Sequence, residues 1–327
     1  MGHKPGLDHF RSHLAEDLNR VDREMRSILS SDVHLVDKVV RYIVRRRGKS
    51  IRPILTLLTA RLFGEPGPQT IKAAVIVELL HTATLVHDDV VDDAKTRRGL
   101  PSINAIWKNK VSVLVGDYLL AKALTEMLDL RDFTVLDILS ITARRMSRGE
   151  LLQIAKARKL DITEEVYFDM ISDKTAALFA ACCELAAVTS GDNGAHQVEL
   201  RNFGEKLGLA FQIRDDILDF EGRKAIIGKP ILGDVKEKKI TLPLIHAIHR
   251  SSDGEGRKII KMIDRGLKPE DRSYVLDFIR SHSGIEYASA AAERIKAEAL
   301  QSLDAFPNTL ERRTLADFAH YTVSRAK

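Results

Sequence analysis

The sequence predicts an all-α protein, one large helical bundle around a central cavity forming a single domain over residues 1–327. Three observations predict it. Apolar residues recur at helical spacing over almost the whole chain. Runs in which β-branched and polar residues alternate are missing, so no sheet is expected. Most prolines fall between the periodic stretches and not inside them.

Helices are expected at 8–29, 34–47 and 53–63, and Pro66 and Pro68 separate the last from a long one at 69–93. Pro101 precedes the next, at 109–129, and 134–156, 162–189 and 195–220 follow. Beyond Pro230 the pattern gives 241–249, where Pro243 stands, and 255–265. Pro269 and Pro307 mark the starts of 270–280 and 308–325, with 284–303 between them. Residues 71–86 and 175–190 are apolar on most sides, which places them in the middle of the bundle. The least regular segment, Glu221 to Lys239, is rich in Gly and Lys and reads as a mobile loop over a site.

Composition excludes several classes. Hydrophobic residues at 44% can fill a sizeable core, and charged residues at 30% describe an ordinary surface. A net charge of +5 is mildly basic, yet aromatics make up only 6% and no base-stacking or groove-reading motif appears, so no nucleic-acid partner is expected. No G-x-G-x-x-G follows a strand, and there is no P-loop. The only cysteines, Cys182 and Cys183, are adjacent in an apolar stretch; they form neither a disulfide framework nor a zinc site. Met1 to Asp8 lacks the apolar core of a signal peptide, Gly6 stands where a myristoylation signal wants Ser or Thr, and no uncharged apolar run approaches a bilayer span. The expectation is a cytoplasmic protein without a transmembrane segment.

Two aspartate-rich helical segments carry the chemistry. One is His87-Asp88-Asp89-Val90-Val91-Asp92-Asp93; the other is Gln212-Ile213-Arg214-Asp215-Asp216-Ile217-Leu218-Asp219. Each contains D-D-x-x-D inside apolar sequence. Residues four apart share a helix face, so Asp88 points with Asp92 and Asp215 with Asp219. Aspartate is a poor helix former and is rarely buried unless paired or bound to metal. Such hard oxygen ligands suit Mg²⁺, whose shell waters and substrate phosphates complete.

Basic residues stand at fixed offsets. His81 lies two turns before Asp88, within about 20° of the same face. Lys95, Arg97, Arg98 and Gly99 follow the first acidic helix, and Gly48-Lys49-Ser50-Ile51-Arg52-Pro53 lies upstream. Further basic residues occur in Ser172-Asp173-Lys174-Thr175, in Gly228-Lys229-Pro230 and at Lys239. Arg grips diphosphate oxygens bidentately and Lys adds a mobile point charge. The set suffices for two anionic substrates, one bridged by metal and one held by Arg, Lys and His alone.

From about Gly48 to Pro243 the sequence resembles the trans-isoprenyl diphosphate synthases, or polyprenyl synthetase family. The motifs that carry the likeness, in order, are Gly48-Lys49-x-x-Arg52-Pro53, His81, Asp88-Asp89-x-x-Asp92 with Arg97-Arg98-Gly99, and Gly116-Asp117. Gly149-Glu150-x-x-Gln153, Lys174-Thr175, Phe211-Gln212-x-x-Asp215-Asp216-x-x-Asp219, and Gly228-Lys229-Pro230 with Gly233-Asp234 complete them. The resemblance implies three Mg²⁺ ions on Asp88, Asp92 and Asp215, with Asp89, Asp216 and Asp219 as direct or indirect support. It implies that Arg97, Lys174, Lys229 and Lys239 hold an allylic diphosphate and that Lys49, Arg52, His81 and Arg98 hold isopentenyl diphosphate. Thr175 and Gln212 would face the developing allylic cation, and a homodimer is expected, with helix 109–129 as a contact. Arg47 and Ser50 depart from the usual Gly and Arg. Lys238 replaces a usual Gly, which leaves open whether Lys238 or Lys239 reaches the site.

The resemblance implies prenyl chain elongation. A terpene cyclase of the same helical class needs no second diphosphate site, and a non-catalytic partner subunit needs no intact aspartates. Chain length rests on Leu80, Ala83 and Thr84, one turn and more before Asp88. In the family, bulky aromatics here close the pocket early; Ala83 and Thr84 are small and Leu80 is not aromatic. The expected product therefore has about thirty to fifty carbons, against a farnesyl- or geranylgeranyl-length alternative.

Overall fold

A computed structural model describes residues 5–45, 48–97, 99–192, 194–221 and 232–324. They are almost entirely helical: α1 Leu7–His13, α2 Ala15–Leu29, α3 His34–Arg45, α4 Ile51–Ala60, α5 Pro68–Val91, α6 Ile103–Asp129, α7 Phe133–Lys159 and α8 Glu164–Ile171. A π-helical turn, Ser172–Ala176, leads into α9 Ala177–Thr189 and then α10 Gln197–Leu218. There follow α11 Gly233–Lys236, α12 Leu242–Arg250, α13 Asp253–Asp264, α14 Asp271–Ser281, α15 Gly284–Gln301, a 3₁₀ turn Ser302–Ala305 and α16 Leu310–Ser324.

The structure amends the expected elements where local chemistry intervenes. The helix expected at 8–29 breaks at Leu14, whose backbone leaves helical geometry (φ −109°, ψ 19°). The helix expected from 109 begins at 103, because the Ser102 hydroxyl caps it by accepting from the Ala105 amide at 3.0 Å. Lys108 then interrupts it with φ +67°. The helix expected at 162–189 carries the π turn. A two-stranded antiparallel ribbon, Thr96–Arg97 with Leu100–Pro101, stands where no strand was expected; Gly99 supplies the positive φ of its turn. Of the loop expected over 221–239, Glu221 and the residues from Leu232 onward are described, and α11 forms there.

The chain folds as two compact units. The first comprises residues up to Ala143, Leu178–Gly204 and Ser302–Tyr321. Its centre is α5, which starts at Pro68, a residue suited to the first helical position, and packs against α2, α4 and α6. Val75, Ile76, Val77 and Leu79 of α5 and Ile54, Leu55, Leu57 and Leu58 of α4 are fully buried, each side chain contributing ~1.5–3 kcal/mol. By length and composition α5 would suffice to cross a bilayer, although Lys72 and Glu78 interrupt its apolar run; 67% of its apolar window is buried inside the protein. The second unit comprises Arg144–Ala177, Glu205–Gln301 and the C-terminal residues. There α12 packs against α8, α13, α14 and α15 around Leu244, Ile259, Val275, Ile279 and Ala288.

Candidate active site

In the first unit, the C-terminal end of α5 presents the first acidic motif. Asp88 is half-buried and Asp92, the cap of the helix, is exposed. Asp89 differs: it is 3% exposed, and its Oδ1 accepts from Arg97 Nε at 2.7 Å. The ribbon that follows α5 thus folds Arg97 back onto the middle aspartate. His81 is half-buried two turns earlier, and the Thr84 hydroxyl donates to its carbonyl at 2.8 Å. Leu80 and Ala83 are buried. Gly116 has a structural reason: a Cβ there would lie 2.1 Å from Nε2 of His87.

At the start of α4, Lys49 is half-buried and Ser50 adopts a left-handed backbone (φ +52°). Arg52 is half-buried, its guanidinium 5.3 Å from the Phe179 ring centroid, within cation–π range. Cys182 and Cys183 are buried free thiols; burial pushes Cys182 up to about 12 and Cys183 well above its ordinary value. Thiols so held are inert packing.

In the second unit, Asp215 is exposed, Asp219 half-buried and Asp216 5% exposed. Asp219 accepts from the backbone amides of Gly233 and Asp234 at 3.0 and 3.2 Å, anchoring the start of α11. Asp216 accepts at both oxygens, from the Tyr167 hydroxyl at 2.7 Å and from Gln212 Nε2 at 2.8 Å. The Gln212 carbonyl oxygen in turn accepts from the Thr175 hydroxyl at 2.7 Å. Burial, with Asp234 adding to it, raises the Asp216 carboxyl to about 8. Tyr167 escapes a reading of the sequence, because a tyrosine in an apolar helix has the signature of core; only its fully buried hydroxyl on Asp216 distinguishes it.

Lys174 and Thr175 lie within the π turn, a feature that recurs at functional sites. From α7, Glu150 and Gln153 hold the Lys174 ammonium at 2.5 and 3.0 Å, which accounts for their motif. Arg145 donates to Asp173 at 2.9 Å and to Glu205 at 2.6 Å, and Arg148 also pairs with Asp173, fixing the turn from outside. Gly149 admits the turn: a Cβ there would lie 2.5 Å from the Lys174 amide nitrogen and 2.9 Å from its Cα. Gly149→Ala therefore forces backbone apart at Lys174. The expected result is a loss of ~1–3 kcal/mol in stability and at least a ~10-fold fall in kcat, read from thermal melts and steady-state rates.

A cavity of about 180 Å³ in this unit is lined by Lys174, Thr175, Gln212, Asp215 and Asp216, and by both Lys238 and Lys239. Lys239 is the more buried of the two and pairs with Glu237 at 2.8 Å, whereas Lys238 pairs with Asp264 at 3.0 Å. Lys238 has φ +60°, the left-handed conformation that favours glycine, so its departure from the usual residue carries backbone strain. Lys229 and Arg98 lie outside the described residues.

No three His, Cys, Asp or Glu side chains among the described residues converge closely enough to hold an ion alone. The donors present are hard carboxylate oxygens, few at each place. That set fits Mg²⁺, which binds through one or two carboxylates together with water and substrate phosphates.

All-α architecture, paired aspartate motifs and a lysine-lined cavity define a diphosphate-handling helical enzyme. The pattern of the polyprenyl synthetase family matches residues 33–279, and the chain belongs to that family. It is a prenyltransferase. The octaprenyl diphosphate synthase of Escherichia coli (strain K12) is 35% identical over 98% of this chain and 99% of its own. The all-trans-nonaprenyl-diphosphate synthase (geranyl-diphosphate specific) of Rhodobacter capsulatus is 36% identical over 95% and 96%. A crystal structure of polyprenyl synthase from Caulobacter crescentus CB15, complexed with calcium and isoprenyl diphosphate, superposes with a TM-score of 0.93 at 34% identity, covering 100% of both chains.

Proposed function

We propose that the chain condenses isopentenyl diphosphate with an allylic prenyl diphosphate, with Mg²⁺, to give a long-chain trans-polyprenyl diphosphate of about thirty to fifty carbons. One observation carries the reading most directly. In each motif the middle aspartate, Asp89 or Asp216, is buried on protein donors, while Asp88, Asp92 and Asp215 are half-buried or exposed. Asp88, Asp92 and Asp215 are thereby presented, whereas Asp219 accepts from the Gly233 and Asp234 amides with both oxygens.

In this reading Asp88, Asp92 and Asp215 hold three Mg²⁺ ions, supported by Asp89, Asp216 and Asp219. When bound, the metal supplies Lewis-acid neutralisation of charge on the leaving diphosphate. Arg97, Lys174, Lys229 and Lys239 grip the allylic diphosphate, while Lys49, Arg52, His81 and Arg98 grip the isopentenyl one. Thr175 and Gln212 offer oxygen dipoles to the allylic carbon as its C–O bond breaks. The double bond of isopentenyl diphosphate attacks that carbon, and the proton then lost leaves with the departing diphosphate, so no side-chain base is required. Exclusion of water by apolar helix faces protects the cation.

A homodimer joined through α6 belongs to this reading; Val113, Leu114, Leu124 and Leu128 are exposed on that helix. So does a cytoplasmic location, supported by two free thiols. Turnover by the purified chain alone, with Mg²⁺, isopentenyl diphosphate and an allylic primer, tests the function; an inactive chain would sink it. Arg52→Ala and His81→Ala are each expected to raise KM for isopentenyl diphosphate ~10-fold with little change for the primer. An unchanged isopentenyl KM in Arg52→Ala would refute the assignment of that site.

A further inference from the structure

We propose that Tyr167 is a positioning residue for the allylic end of the site, acting through Asp216 and Gln212 on the Thr175 hydroxyl. Resting on the function proposed above, it adds a residue that touches neither substrate nor reacting atoms.

Tyr167 has no exposed surface, and its hydroxyl has one acceptor, Asp216 Oδ2 at 2.7 Å. That bond has a directional consequence. Asp216 accepts at its other oxygen from Gln212 Nε2, so the amide of Gln212 is turned with nitrogen toward Asp216 and oxygen away from it. The oxygen then receives the Thr175 hydroxyl. A hydroxyl that donates to Gln212 has its proton fixed, which turns its lone pairs in one direction. Four groups in series therefore set which way the oxygen dipole of Thr175 points, and Thr175 and Gln212 both line the cavity. Removing the phenolic proton donor frees Asp216 to rotate about its carboxyl plane and lets the amide of Gln212 flip. A buried tyrosine that only filled space would need no hydroxyl there.

Tyr167→Phe removes the donor and keeps the ring. With a farnesyl diphosphate primer and saturating Mg²⁺, kcat is expected to fall ~10-fold, while KM for isopentenyl diphosphate stays within ~2-fold. The decisive readout is a double-mutant cycle with Thr175→Val. If Tyr167 acts through Thr175, the double variant is no slower than Thr175→Val alone. Multiplying effects, or an unchanged kcat in Tyr167→Phe, overturn the proposal. Rates are taken at 15 °C after thermal melts; if Tyr167→Phe is not folded there, Tyr167→Met, which likewise removes the hydroxyl, takes its place. Multiplying effects of Tyr167→Met and Thr175→Val likewise overturn it. Wild-type turnover in the same assay separates the two readings: an inactive wild type removes the proposed function, whereas an active one with additive variants removes only the role of Tyr167.

Discussion

Asp88→Asn, Asp92→Asn and Asp215→Asn should each lower kcat by at least ~10²-fold while leaving the fold intact. Asparagine has nearly the shape of aspartate and retains an oxygen acceptor, so packing is untouched. What it lacks is a full negative charge, which the proposed function needs there to hold a divalent cation with few protein ligands. Asp92 and Asp215 are exposed and Asp88 half-buried, so the substitutions remove no core contact. Circular dichroism melts should shift little, and the kinetic loss should persist at saturating substrates. Wild-type activity that survives excess chelator would contradict the prediction outright. The corresponding change at the middle positions differs in kind, because Asp89 and Asp216 are buried on Arg97, Tyr167 and Gln212.

Ala83→Phe should shorten the product to about fifteen to twenty carbons with turnover preserved. Ala83 is 2% exposed on α5, five residues before Asp88, beside a Leu80 that is equally buried. In the proposed function, a growing tail attached to a diphosphate held at the aspartates runs down this helix. A benzyl group in that place adds volume that close-packed surroundings do not absorb without strain, at a cost of ~1–3 kcal/mol. Melting should therefore fall by a few degrees, an effect separable from product length. Mass analysis of the dephosphorylated product decides the matter. An unchanged length would remove Ala83 from the path of the tail, and with it the physical basis for a long product.

What a sequence discloses here depends on how local the cause is. Helix α5 was expected at 69–93 and runs Pro68–Val91, because its apolar pattern and its flanking prolines act within the helix itself. The aspartates were legible through a four-residue spacing, and Glu150 and Gln153 through their place in a motif. The start of α6 had a local signal, Pro101-Ser102, a capping residue after a break, although the expected boundary fell later. The π turn has none: it depends on Gly149 in α7 yielding space and on Arg145 pairing with Asp173 from 28 positions away. Tyr167 was silent for the same reason, since its partner Asp216 is 49 positions distant. The spacing alone sets the middle aspartates off the face that the outer two share, but not their burial, because the donors Arg97 and Tyr167 come from other elements.

An α-helix advances about 100° per residue, so Thr175, eight residues beyond Tyr167, would sit about 80° around the cylinder from it. The single additional residue that a π turn accommodates takes back about 100°, leaving the two within about 20°. Tyr167 and Thr175 thereby meet the same side of α10, where Asp216 and Gln212 stand one turn apart. The turn acts as a phase corrector, placing two side chains in angular register that regular helix would leave out of step. The effect is a matter of count: the same eight residues wound as regular helix would leave Thr175 about 80° from Tyr167, whereas a chain one residue shorter ahead of Thr175 would keep the alignment with no π turn at all.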